Sequence, residues 1–174
     1  MKSPLAAALA VALAIGCQSP PPSSKPLLAT ASLEPTKGSK ASGQARFEQA
    51  DGKVHLRLTA QGLNPNREHG FHIHEVGDCS SGDGMSTKGH FNPTGKPHGN
   101  PSAAEHHAGD LPALKADNDG RARLDVELSG ITLAPGPTSI VGRGLIIHAD
   151  PDDYTTQPTG NSGARLACGV IKAS

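Results

Sequence analysis

The sequence predicts an all-β domain, a sandwich or barrel of short antiparallel strands. Three observations carry this. Glycine (21) and proline (15) are abundant among 174 residues, which favours turns and irregular loops over long helices. No segment sustains a helical period of apolar residues. Short runs with an apolar residue at every second position recur between clusters of turn residues.

The elements follow in chain order. "LATASLEP" and "QARFEQ" read as strands, joined by the turn-rich "TKGSKASG". After the "ADG" turn, "KVHLRLTAQ" alternates Val54, Leu56 and Leu58 with His55, Arg57 and Thr59, the pattern of a half-buried strand. "HGFHIHE" is the next strand. "RARLDVELS" follows the "DNDG" turn and alternates Leu124, Val126 and Leu128 with polar partners. "TSIVG", "GLIIHA" and "ACGVIK" complete the set. Two stretches break the pattern, at about residues 77–114 and 149–166. Loops longer than about 12–15 residues are commonly functional or disordered. The first of these holds four histidines, which points to function.

The chain opens with "MKSPLAAALAVALAIGC": Lys2, an apolar run from Leu5 to Ile15, then Gly16 and Cys17. A bilayer span needs roughly 20 residues, so this run is short for one and reads as a signal peptide over residues 1–16. "LAIGC" resembles a lipobox, in which Cys17 is lipidated and becomes the mature N-terminus; an ordinary secretory signal is the other reading. Residues 17–26 then form a lipidated Pro/Ser-rich tether, and residues 27–174 the domain. The expected location is the periplasm or cell envelope, with acyl chains rather than a helix as the membrane anchor. Net charge is zero, which argues against nucleic acid as a partner. Lipidation uses one of three cysteines and leaves Cys79 and Cys168, which are expected to pair in an exported domain. Two free thiols are the alternative.

His72 and His74 share one face of their strand, and Phe71 and Ile73 share the other. The apolar pair can enter a core while the imidazoles, common ligands of zinc and copper, face a loop. Two surface histidines would look the same. The wider sequence favours metal: "GHFNP" supplies His90, "KPHGNP" His98, "EHHAGDLP" His106, His107 and Asp110, and "LIIHADPDD" His148. Three nitrogens with a carboxylate suit zinc, and four nitrogens suit copper. The donor count fits two metals better than one.

From about Leu28 to Lys172 the chain resembles the copper/zinc superoxide dismutases, through "GFHIHE", "GHFNP", "HAGDLP", "GRGLIIHADPDD" and "GNSGARLACGVI" in that order. The resemblance implies a Greek-key β-barrel of about eight antiparallel strands, with copper and zinc outside it under two long loops. It implies His72, His74, His90 and His148 as copper ligands, and His90, His98, His107 and Asp110 as zinc ligands, with His90 as the bridge. The choice of His107 rests on its H-x-x-D spacing to Asp110, which leaves His106 an exposed neighbour. Asp152 matches the carboxylate that links a copper ligand to a zinc ligand. Arg165 matches the arginine that receives superoxide beside copper. Cys79 and Cys168 match the family's bridge.

The implied reaction is dismutation of superoxide to oxygen and hydrogen peroxide, protecting the cell envelope. His69 is expected to be a structural hydrogen-bonding residue and His55 to lie on a polar strand face. One departure stands out. The second loop carries only "DYTTQP" between Asp152 and Thr159, without the lysine and glutamate that steer superoxide in the animal enzymes. Arg165 and a lysine such as Lys88 or Lys96 are left to do so. A non-enzymatic copper-binding or copper-delivery protein of the envelope is the main alternative. A zinc hydrolase lacks an H-E-x-x-H motif here, and a purely structural adhesion module would not need the site. The sequence is compatible with a homodimer.

Overall fold

The computed structural model describes residues 25–174. The signal peptide, Cys17 and most of the tether therefore lie outside the described residues. The strands are β1 (Leu27–Pro35), β2 (Ser42–Ala50), β3 (Lys53–Gln61), β4 (Glu68–His69), β5 (Phe71–His74), β6 (Leu114–Lys115), β7 (Ala122–Leu128), β8 (Gly144–His148), β9 (Arg165–Val170) and β10 (Lys172–Ala173). The one helical element among the described residues is a 3₁₀ turn at Met85–Thr87. The all-β expectation holds.

Eight strands form one antiparallel sheet in the order β5-β8-β9-β1-β2-β3-β7, with β10 also paired to β1. The sheet curls until its edges meet. β4 runs into β5 at one edge, β6 precedes β7 at the other, and β4 pairs with β6 through Glu68–Lys115 and His69–Leu114. This two-stranded clip joins the two ends of the sheet and closes the barrel. Two connections, β3 to β5 and β7 to β8, skip a neighbouring strand, which makes the topology a Greek key.

Strand alternation sorts residues as the pleat requires. In β3, Val54, Leu56, Leu58 and Ala60 are buried, while Lys53, Arg57, Thr59 and Gln61 are exposed. Inside, Phe47, Leu56, Phe71, Ile73, Leu145, Ile147 and Ile171 are fully buried. Filling the core with Phe71 and Ile73 contributes about 1.5–3 kcal/mol each, and it fixes which face of β5 points outward. β5 and β8 are buried on both faces, because the two long loops cover their outer side.

Two sequence expectations are corrected. "HGFHIHE" is not one strand: it breaks at Gly70 into β4 and β5. "TSIVG" is not a strand either. Ile140 is buried as its apolar character demands, but Ser139 makes only an isolated bridge to Thr132. The segment folds back on residues 131–133 as a plug that places Ile131, Leu133 and Ile140 in the core. Its apolar residues find burial without joining the sheet.

Candidate metal centre

The long connection between β5 and β6 returns twice along the free edge of β5. Phe91 N–H donates to Ile73 O (2.8 Å), Ile73 N–H to Gly109 O (2.9 Å) and Glu75 N–H to Gly89 O (2.9 Å). Isolated bridges set His72 opposite Asp110 and His74 opposite His90. A side chain at Gly109 would collide with Ile73 O and Phe91 N, so the loop lies this close only because glycine is there. Backbone register thus brings residues distant in sequence onto the outer face of β5.

Two clusters result. His72, His74, His90 and His148 are all buried and offer donor atoms within 4.8 Å of one another. His90, His98, His107 and Asp110 do the same, and His90 belongs to both. Every one of the seven candidate ligands named from the sequence lies in one of these clusters, and they have no other residue in them. The rings of His72 and His90 stack with centroids 3.9 Å apart.

Hydrogen bonds on the far side of each ring decide which nitrogens are free. His72 Nε2–H donates to Asp152 Oδ2 (2.6 Å), His74 Nδ1–H to the Lys88 carbonyl (2.8 Å) and His148 Nδ1–H to the Gly163 carbonyl (3.3 Å). Each acceptor holds a proton on the outer nitrogen and leaves a lone pair on the inner one. His72 Nδ1 and His90 Nε2 are buried without a hydrogen-bond partner. His74 Nε2 and His148 Nε2 face one another at 3.3 Å, lone pair to lone pair. Four inward lone pairs without a proton among them are what a cation satisfies.

The second cluster converges on Asp110. Its Oδ1 lies 2.8 Å from His90 Nδ1, 3.0 Å from His98 Nδ1 and 3.4 Å from His107 Nδ1. Its Oδ2 accepts from the N–H groups of Gly99 and His107. His98 Nε2–H donates to Asp152 Oδ1 (2.8 Å), and His98 Nδ1 faces a second carboxylate, a contact that calls for a proton or a metal cation between them. Asp152 therefore spans the two clusters, one oxygen on His72 and the other on His98.

The electrostatics differ between the clusters. Burial, with neighbouring imidazoles and Arg165 adding to it, holds His74 and His148 well below the usual histidine range. Burial also lowers His72 against the pull of Asp152, and brings His90 down to about 4. The all-histidine cluster is thus a set of neutral ligands. Burial pulls His98 down too, but hydrogen bonds and charge from Asp110 and Asp152 outweigh it and raise His98 to about 9. Burial would raise Asp110 and Asp152, yet their histidine contacts hold both well below the ordinary carboxylate range. The carboxylate-rich side attracts positive charge; the other side coordinates without it.

Arg165, at the start of β9, pairs across the sheet with His148 beside a register shift. Its Nη1 donates to Gly84 O (2.6 Å) and Thr87 Oγ1 (2.7 Å), and Nη2 donates to Lys88 O (2.6 Å). The guanidinium is half-buried and makes no ion pair among the described residues. Cys79 is bonded to Cys168 on the same strand, tying the first loop to the barrel. His69 donates through Nδ1 to His148 O (2.8 Å), as expected of a structural histidine, and His55 lies on the outer strand face beside Asp125. His106 departs from expectation: it is half-buried rather than exposed, and its Nδ1–H donates to His107 O (2.6 Å). It stays outside both clusters.

Sequence reasoning passed over the backbone contributors. The carbonyls of Gly84, Lys88 and Gly163 hold Arg165, His74 and His148, and backbone carbonyls carry no residue-type signal. Gly160 was also missed. With φ at +66°, a Cβ there would strike Asp152 Oδ1 and His98 Nε2. Gly160→Ala is therefore expected to displace the Asp152 link and weaken metal retention at the cluster containing His98 about tenfold or more. Competition with a metal chelator measures this, and parental metal affinity would contradict it.

A Greek-key barrel whose outer face gathers two donor clusters around one shared imidazole defines a dinuclear metalloprotein class. The family model described as copper/zinc superoxide dismutase matches residues 41–171. A superoxide dismutase [Cu-Zn] 2 of Aquifex aeolicus (strain VF5) is 42% identical over 153 residues, covering 86% of this chain and 89% of that protein. A superoxide dismutase [Cu-Zn] of Paramecium bursaria Chlorella virus 1 is 42% identical over 154 residues, covering 84% and 79%. The crystal structure of the clock protein EA4 superposes with a TM-score of 0.77 at 41% identity, covering 86% of this chain and 96% of that one. The chain belongs to the copper/zinc superoxide dismutase family.

Proposed function

We propose that this chain converts superoxide to oxygen and hydrogen peroxide, and does so in the cell envelope, anchored by a lipidated Cys17. The observation that carries the reaction is the pair of buried four-donor clusters sharing His90. His72, His74, His90 and His148 would hold copper through nitrogen alone. His90, His98, His107 and Asp110 would hold zinc through three nitrogens and a carboxylate. When bound, copper supplies one-electron redox chemistry and zinc a fixed charge without redox chemistry.

The chain's own residues do the rest. Asp152, Lys88 O and Gly163 O orient the copper-side imidazoles and keep their inner nitrogens free of protons. His90 Nε2 is the atom that can take up a proton and pass it to the product. Arg165, always charged, is held by three acceptors so that it meets the incoming anion in one orientation.

Copper and zinc content measured alongside dismutase activity tests this reading. One copper and one zinc per chain with activity supports it. Zinc alone after copper loading, or copper without dismutation as in a delivery protein, overturns it. The location rests on the N-terminal sequence. Cys17→Ser is expected to move the protein from the membrane to the soluble fraction, and unchanged fractionation would exclude the anchor.

A further inference from the structure

We infer that Gln157 is a positioning residue: it keeps His98 in place as a member of the second cluster by fastening the short second loop to the long first one. This rests on the reading above that a metal sits among His90, His98, His107 and Asp110. Three of those four are held by the chain around them. His90 and Asp110 bridge to His74 and His72 on β5, and His107 O accepts from Asp110 N–H (3.1 Å). His98 has no such tie. It is buried, yet it lies in no strand or turn and bonds to no other backbone group among the described residues. A buried N–H and C=O both need partners.

One side chain supplies both. His98 N–H donates to Gln157 Oε1 (2.8 Å), and Gln157 Nε2–H donates to His98 O (2.9 Å). The amide pairs with His98 as a residue on a neighbouring strand would. The ring is gripped separately, by Asp152 Oδ1 at Nε2 and Asp110 Oδ1 at Nδ1. Asp152 and Gln157 therefore hold the ring and the main chain of one residue, and both come from the second loop. That loop is folded on itself so that Gln157 arrives where it is needed. Asp153 Oδ1 accepts from the N–H groups of Thr155 (2.9 Å) and Thr156 (2.7 Å), and its Oδ2 accepts from Thr156 Oγ1 (2.7 Å) and Asn161 Nδ2 (3.3 Å). Gly160 N–H closes the loop on Thr156 O (2.7 Å). Asparagine has the same amide on a stem one methylene shorter, and glutamate has the length without the donor. A carboxylate here would set its second oxygen against His98 O.

Gln157→Glu and Gln157→Ala test this in protein carrying copper at the all-histidine cluster and cobalt(II), a spectroscopic stand-in for zinc, at the other. Both variants should fold, because Gln157 is exposed and lies outside the core. Each should release cobalt to a chelator about tenfold faster than the parent, with altered visible d–d bands, while copper release changes less than about twofold. The Glu variant should be no better than the Ala variant despite its length. Parental cobalt release in both variants overturns the inference. So does a Glu variant that matches the parent, because the amide donor would then be idle. Equal acceleration of copper and cobalt release also overturns it, as the sign of general loosening. A parent that takes up no cobalt overturns the two-cluster reading and this inference with it. A fully loaded parent without dismutation refutes the reaction alone and leaves the Gln157 assignment standing.

Discussion

His90→Ala is expected to produce a folded barrel that retains neither metal at full occupancy and has lost at least about 100-fold of its dismutase activity. His90 is the residue common to both donor clusters, so one substitution removes a donor from each. Its Nδ1 lies 2.8 Å from Asp110 Oδ1, and its Nε2 is buried without a partner on the side of the all-histidine cluster. Loss of partners that merely orient a ligand costs 10–100-fold in comparable sites, and loss of a donor shared by two sites costs more. The fold should survive, because the barrel core around Phe71 and Ile73 lies on the other face of β5. Metal analysis, dismutase assay and far-UV circular dichroism on the same preparation check this. A variant that keeps both metals and full activity would refute the shared-ligand assignment.

The second large effect is on stability. Cys79 and Cys168 are separated by 89 residues, and their bond restrains the unfolded chain by about 4–5 kcal/mol on the loop-entropy argument. Cys79→Ala/Cys168→Ala is expected to lower the unfolding midpoint by roughly 10 °C or more. Activity should suffer at temperatures below that midpoint. The bridge joins the first loop to β9, whose first residue is Arg165, and the same loop supplies Gly84, Thr87 and Lys88 to hold that guanidinium. Thermal unfolding of the double variant beside oxidised and reduced parent measures the effect. An unchanged midpoint would show that the metals and core alone set the stability.

Much of the barrel was legible because its strands obey local rules. β3 shows its inner face in Val54, Leu56 and Leu58, since a pleated strand with one wet side must alternate. β8 is apolar on both faces, and "GLIIH" says so directly: Leu145 and Ile147 enter the core, while Ile146 is buried outside that cluster. "TSIVG" misled for the opposite reason. Burial of Ile140 is satisfied as well by a plug as by a strand, and composition does not distinguish the two. The β4–β6 clip was invisible because each strand is two residues long and is defined by its partner.

The sequence by itself determined the inventory: an H-x-H strand with an apolar reverse face, the histidines and aspartate of the first loop, the histidine ending β8, and the cysteine pair. These are matters of residue type and spacing, which the chain states outright. Tertiary structure decided how the inventory works. It brought one carboxylate, Asp152, onto His72 and His98 together, and set the Lys88 carbonyl between His74 and Arg165. It also cleared the space at Gly160. The physical reason is that a ring nitrogen's proton is placed by the acceptor on its far side. Here those acceptors are backbone carbonyls and a loop carboxylate, positioned only when the closed barrel folds two long loops over β5 and β8.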